Sequence, residues 1–97
     1  MKSSDWREYA YANGSHPCRA IQWTEDNLAQ IMSVLGNDQC YKIHGVLTVP
    51  LQKDRCPVWR GHFIAISTDE ENPWAGVFTA KVFYDYYIKH ELYESVT

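Results

Sequence analysis

Between residues 25 and 35 the apolar positions Leu28, Ile31, Met32 and Leu35 recur at intervals of three and four, the spacing of an amphipathic helix. Thr24 is placed to cap the first turn, Glu25 and Asp26 set negative charge at its positive end, and Gly36-Asn37 supplies a stop. The pattern predicts a helix over residues 25–35 with one face laid on something apolar. That partner is predicted to be a sheet. Three segments rich in β-branched and aromatic residues, 18–23, 40–49 and 58–67, each stop at turn chemistry. Asn13-Gly14 precedes the first, Pro50 ends the second, Pro57 opens the third, and residues 69–73 follow it. The polar link over residues 51–56 is short, which makes the second and third segments an antiparallel hairpin.

The stretch from Trp74 to Tyr93 supports two periods. With a period of two, Phe78, Ala80, Val82, Tyr84, Tyr86 and Ile88 share a face. With the helical period, Val77, Ala80, Phe83, Tyr84, Tyr87, Ile88 and Leu92 do, and Lys81, Asp85 and Lys89 line the opposite side. The helical reading is taken for most of the stretch, from Phe83 onward, with Asn72-Pro73 as a suitable start. The residues around Gly76 are left open between helix and a fourth strand. Asp5, with Glu8 three positions later, predicts a short amino-terminal helix. The expected fold is α+β: a small antiparallel sheet of three to four strands, covered on one side by two helices.

Composition narrows this further. A chain of 97 residues, 45% apolar and 22% charged, lies in the folded regime and has the size of one domain, residues 1–97, with one modest core. The formal charge of −3 comes from nine basic and twelve acidic residues spread evenly, so neither half is a charged tail. The opening residues carry no apolar run like that of a secretory signal. No later stretch approaches the roughly eighteen apolar residues that cross a bilayer. A cytoplasmic protein with no membrane partner is expected. Cys18, Cys40 and Cys56 are odd in number and lack CxxC spacing, which predicts reduced thiols.

Candidate chemistry is sparse. The pairs His16/Cys18, Cys40/His44 and Cys56/His62 contain metal-binding residue types, but none has the spacing of a structural zinc module. There is no GxSxG elbow, no HExxH and no cysteine-protease signature. The expectation is a protein without cofactor, metal or catalysis. Seven tyrosines and four tryptophans are more ring area than one small core needs, and such residues serve well as contact anchors.

Two contact faces follow. Lys42, His44, Lys53, Arg55, Arg60 and His62, with Tyr41 and Trp59 among them, form a basic and aromatic group suited to single-stranded nucleic acid. Asp54 interrupts that group, and a solvated face of mixed charge is its plainer account. The second candidate is the acidic run Asp69-Glu70-Glu71, with Glu25, Asp26 and Asp38 as neighbours after folding and Trp74 as an apolar anchor. Carboxylates at phosphate-like separations can occupy a groove built for DNA, since Lys and Arg in such a groove register charge before base identity. An ordinary solvated loop is the plainer account of three acids.

Taken whole, the chain resembles the small inhibitors that phages and prophages encode against bacterial defence, the anti-CRISPR proteins, and within them the type I-F group. The resemblance rests on size, on DEENPW at residues 69–74, on VFYDYYIKHELY at residues 82–93, and on the lack of a catalytic motif. It implies a noncatalytic inhibitor in the bacterial host cytoplasm. Such a protein binds the DNA-binding subunit of a CRISPR-Cas surveillance complex and blocks target DNA recognition, with local DNA mimicry as one mode and no nucleic acid bound directly. The alternative is a single-stranded nucleic-acid-binding domain that uses the basic, aromatic sheet face.

Overall fold

The computed structural model describes residues 5–10, 16–36, 39–44, 46–51 and 54–88. Their order is β1 Arg7–Tyr9, β2 Cys18–Gln22, α1 Leu28–Leu35, β3 Tyr41–Ile43, β4 Val46–Leu51, β5 Asp54–Val58, β6 Phe63–Ser67, β7 Ala75–Phe78 and α2 Ala80–Phe83, which widens into one π-helical turn over Tyr84–Ile88. Two antiparallel sheets result, one ordered β1-β2-β6-β7 and one a meander β3-β4-β5. The fold is α+β, but with two sheets where one was expected.

The four-stranded sheet is apolar on both faces, and this decides the layering. Along β2, Cys18 and Ala20 point one way and Ile21 the other; along β6, Phe63 and Ala65 alternate with Ile64. Sheet faces of that kind both require cover. One side packs Ile21, Trp23 and Ile64 against Ile31 of α1 and against Leu47, Val49, Leu51 and Val58 of the meander. The other packs Tyr9, Cys18, Ala20, Phe63 and Ala65 against Phe83 and Tyr87. The two helices therefore lie on opposite faces of the sheet, not together on one, and two core clusters replace the single one expected. Among the described residues no helix is long and apolar enough to cross a membrane.

The meander and α1 are inserted between β2 and β6, and the insertion is tied shut at its base. Trp23 N–H donates to the His62 carbonyl at 2.9 Å and the Trp23 carbonyl accepts from Gly61 N–H at 2.8 Å. The Gln22 side-chain amide adds a third bond, to the Gly61 carbonyl at 3.0 Å. Gly61 itself sits at φ +92°, a backbone region that favours glycine.

Several elements depart from the sequence pattern for identifiable reasons. Helix α1 begins at Leu28, because Glu25 adopts φ +75° and cannot continue a right-handed helix. Its apolar stripe is as expected, with Ile31 buried and Leu28, Met32 and Leu35 against the same cluster. Thr24 does not cap it: its hydroxyl donates to Asp26. The expected strand over 40–49 is folded back on itself as β3 and β4, with His44 at φ +54° in the turn. The expected strand over 58–67 is cut by the turn at Trp59–His62, so its two halves belong to different sheets. An antiparallel β4–β5 hairpin is present, but Leu51 and Asp54–Cys56 of the expected 51–56 link are strand residues, and of the 58–67 segment only Val58 takes part.

Pro50 and Pro57 lie inside strands instead of bounding them. Pro57 is on an edge strand and Pro50 lies beyond the residues that β3 pairs, positions where a missing N–H costs no ladder bond. The amino-terminal segment is a strand, not a helix, because Arg7 and Tyr9 pair with Ala20 and Cys18. Residues 75–78 form the fourth strand of the larger sheet. The carboxy-terminal helix starts at Ala80, with Thr79 Oγ1 accepting from Val82 N–H at 3.3 Å, instead of at Asn72-Pro73. Asn13-Gly14, Asn37, Asp38, Lys53 and residues 89–93 lie outside the described residues.

Candidate partner-binding site

The acidic run sits in the loop that joins β6 to β7, and this loop is built by its own side chains. Ser67 N–H donates to the Trp74 carbonyl at 2.8 Å, setting the mouth of the hairpin. Ser67 Oγ accepts from Asp69 N–H at 3.0 Å and shares its proton between the carbonyls of Asp69 and Asn72. The Asp69 carboxylate accepts from Glu71 N–H at 3.0 Å through one oxygen and from the Asn72 amide at 3.3 Å through the other. Thr68 N–H reaches the Pro17 carbonyl at 3.1 Å, pinning the loop to the entry of β2. Asp69 is thus engaged in holding the turn, as Asp commonly is, whereas Glu70 and Glu71 stand exposed. Of three acids in a row, two are available to a partner.

Trp74, which closes this hairpin, lines a cleft of about 330 Å³ together with His16, Phe78, Val82, Tyr86 and Tyr87. The Trp74 and Phe78 rings meet edge to face, 6.3 Å between centroids. The π-helical turn supplies the opposite wall. By widening after Phe83 it buries Tyr87 while Tyr86 stays 55% exposed. Single π turns of this kind are frequent at functional sites. Exposed Val82 and Tyr86 give the cleft an apolar lip beside the sheet. Sequence patterning missed Phe78, Val82, Tyr86, Tyr87 and His16 as site residues. The only signal was the four-residue spacing from Val82 to Tyr86 within a segment whose period was ambiguous.

The remaining predicted acids are elsewhere. Cys18 pairs with Ser67 at the hairpin end of the larger sheet, and Gln22 pairs with Phe63 at the other end. Glu25 and Asp26 follow Gln22, so about 14 Å of strand separates them from the acidic loop. Glu25 is engaged by Arg60 at 3.8 Å and Asp26 by the Thr24 hydroxyl. The expected grouping of Glu25 and Asp26 with Asp69, Glu70 and Glu71 is therefore not formed; Asp38 lies outside the described residues.

The thiols are poor nucleophiles where the fold fixes their state. Burial pushes Cys18 from 9.0 up to about 12, with the hydrogen bond to Tyr87 pulling the other way. Burial also raises Cys40, against an opposing pull from Arg55. Both stay protonated at neutral pH, and a thiol reacts as its thiolate. The folded state keeps Cys18 neutral beyond the pH at which the unfolded chain ionises. The resulting stability is complete below pH 9.0 and is lost as pH rises towards 12. The slope from this one proton is at most about 1.4 kcal/mol per pH unit. Urea unfolding of wild type and Cys18→Ala on both sides of this onset should show a shallower alkaline decline in the variant.

Among the described residues no three His, Cys, Asp or Glu side chains stand together in a way that could hold a metal ion. Comparison with protein families, with curated proteins and with solved structures finds no match to this chain.

Proposed function

We propose that this protein is a noncatalytic inhibitor that docks through the β6–β7 hairpin and its aromatic cleft onto the basic, DNA-receiving surface of a partner. A bacterial CRISPR-Cas surveillance complex, met in the host cytoplasm, is the leading target. The observation that carries this reading is the juxtaposition at Trp74. A rigid loop holds Glu70 and Glu71 out to solvent, and the same loop delivers Trp74 into a cleft edged by Val82 and Tyr86. Carboxylates on a rigid support attract Lys and Arg from a distance and speed encounter, while ring area buried in a concave site supplies affinity. With Glu25 and Asp26 at the far end of the sheet, two free carboxylates do not imitate a run of phosphates. The mode this geometry favours is steric obstruction anchored at the cleft and steered by charge.

The test is a competition assay between this protein and target DNA for the purified surveillance complex. Reversal of the free acids, Glu70→Lys with Glu71→Lys, is expected to weaken binding about tenfold or more, equal to about 1.4 kcal/mol. Unfolding should change little, because exposed charges contribute little to stability. Asp69→Ala should do the opposite, lowering stability by about 1–3 kcal/mol through the loop bonds it breaks. Trp74→Ala should weaken binding more than either. Unchanged affinity in both the double reversal and Trp74→Ala would remove this face from the interface.

A further inference from the structure

The outward face of the meander belongs to neither core cluster. Leu47, Val49, Leu51 and Val58 point inward, so the alternate positions face out, and the register aligns Tyr41 with Thr48 and Pro57, Ile43 with Val46, and Pro50 with Arg55. Tyr41 and Ile43 are 40% and 48% exposed, and Trp59, one residue past the end of β5, is 57% exposed. A sheet face that leaves three large apolar side chains in water needs an explanation.

Two features point to a ligand with flat rings and negative charge. The Arg55 guanidinium lies over the Tyr41 ring, 5.0 Å from its centroid, and is held there by donating to the Gln39 carbonyl at 3.1 Å. Trp59 is likewise fixed, since its N–H donates to His62 Nδ1 at 3.4 Å and its carbonyl accepts from His62 N–H at 2.9 Å. Arg60 follows it with a side chain 75% exposed, its guanidinium 3.8 Å from the Glu25 carboxylate. Two rings are thus presented on rigid backbone, each with an arginine beside it. Lys42 does not join them: it projects towards the other side, its ammonium 6.0 Å from the Trp23 ring.

We infer that this face binds single-stranded nucleic acid, with bases stacked on Trp59 and on the Tyr41–Arg55 pair, and phosphates met by Arg55 and by Arg60, which exchanges its Glu25 partner for phosphate. Stacking platforms with flanking cations bind single strands with little sequence preference, and charge complementarity is what selects this occupant over an apolar peptide or a second copy of the chain. The net charge of −3 opposes approach, so affinity is expected to be modest and sensitive to salt. The inference does not depend on the inhibitor reading, which uses a different face.

Fluorescence anisotropy with a labelled twelve-residue oligothymidine tests it. Binding is expected in the micromolar range, with log affinity falling against log salt at a slope of roughly −1.4 for two phosphate contacts. Trp59→Ala and Tyr41→Ala should each weaken binding about 5- to 150-fold, the effect of losing one stacked base, with melting temperature unchanged because both rings lie outside the cores. Arg55→Lys, which keeps the charge and loses the planar stack, should weaken it less than Arg55→Ala. No binding up to about 100 μM at low salt overturns the inference. So does full affinity in both aromatic variants, or a self-association that Trp59→Ala abolishes and the oligonucleotide does not compete with.

Discussion

Replacing Phe83 with alanine is expected to cost about 3–5 kcal/mol, among the largest single losses in the described chain. Its ring is the hub of the second core cluster: it stacks on Phe63 at 4.1 Å and on Tyr87 at 4.7 Å, and takes the edge of Tyr9 at 5.0 Å. Among the described residues the helical cover on this side of the four-stranded sheet is short, α2 and its π-helical turn, so removal of the ring leaves a cavity at the centre of the cluster. A neighbouring control separates burial from helix propensity. Val82→Ala, one residue earlier on the solvent side, should change stability by no more than about 0.5 kcal/mol. Because each kcal/mol moves the melting temperature of a chain this size by about 4–8 °C, thermal unfolding distinguishes the two variants readily. A loss below about 1 kcal/mol for Phe83→Ala would mean that this helix does not close the sheet.

The second large effect is expected at Asn27, the one polar side chain among the buried residues described. Its amide N–H donates to the Gln22 carbonyl at 2.8 Å and its oxygen accepts from Thr24 N–H at 3.1 Å. These bonds fold the chain back between β2 and α1, and their loss strands two backbone groups where water enters poorly. Asn27→Ala should therefore cost about 2–4 kcal/mol, from two orphaned groups at about 1–2 kcal/mol each. Asn27→Asp should be no better, since it keeps the acceptor, removes the donor and places a carboxylate in a dry site. Urea unfolding with an unchanged m-value would attribute the loss to the native state. If Asn27→Asp proved as stable as wild type, the amide donor would have no role.

How much of this was legible beforehand depended on whether a residue's role was local. The α1 stripe and the strand at Cys18–Gln22 were readable because spacing and flanking turns are properties of consecutive residues. The break within 40–49 was signalled only by His44-Gly45, and β-branched residues on either side outweighed it. The Asp5 and Glu8 pair suggested a helix, yet pairing of Arg7 and Tyr9 with β2 prevailed, a tertiary contact that local chemistry does not encode. For the site, Glu70, Glu71 and Trp74 were visible as neighbours in sequence. The cleft was not, since it joins His16 to residues 74–87, and Glu25 and Asp26 were misplaced because only the register of β2 against β6 sets them at the opposite end. Asp69 looked like its two neighbours until the hydrogen bonds of the turn were seen.

The knot of bonds joining Trp23 to Gly61 and His62 makes everything between them a detour. The side chain of Gln22 reaches across 39 residues of sequence to Gly61, so the central ladder cannot zip until two distant stretches have met. Loop-closure entropy grows slowly with length, about 0.6 kcal/mol per doubling, so the turns of the detour can be lengthened at little cost, provided that Ile31, Leu47, Val49, Leu51 and Val58 stay to cover the sheet. The local meander is then free to mature early while β2 and β6 wait for each other. The exposed surface that the detour carries can also diverge between lineages without disturbing the register beneath it.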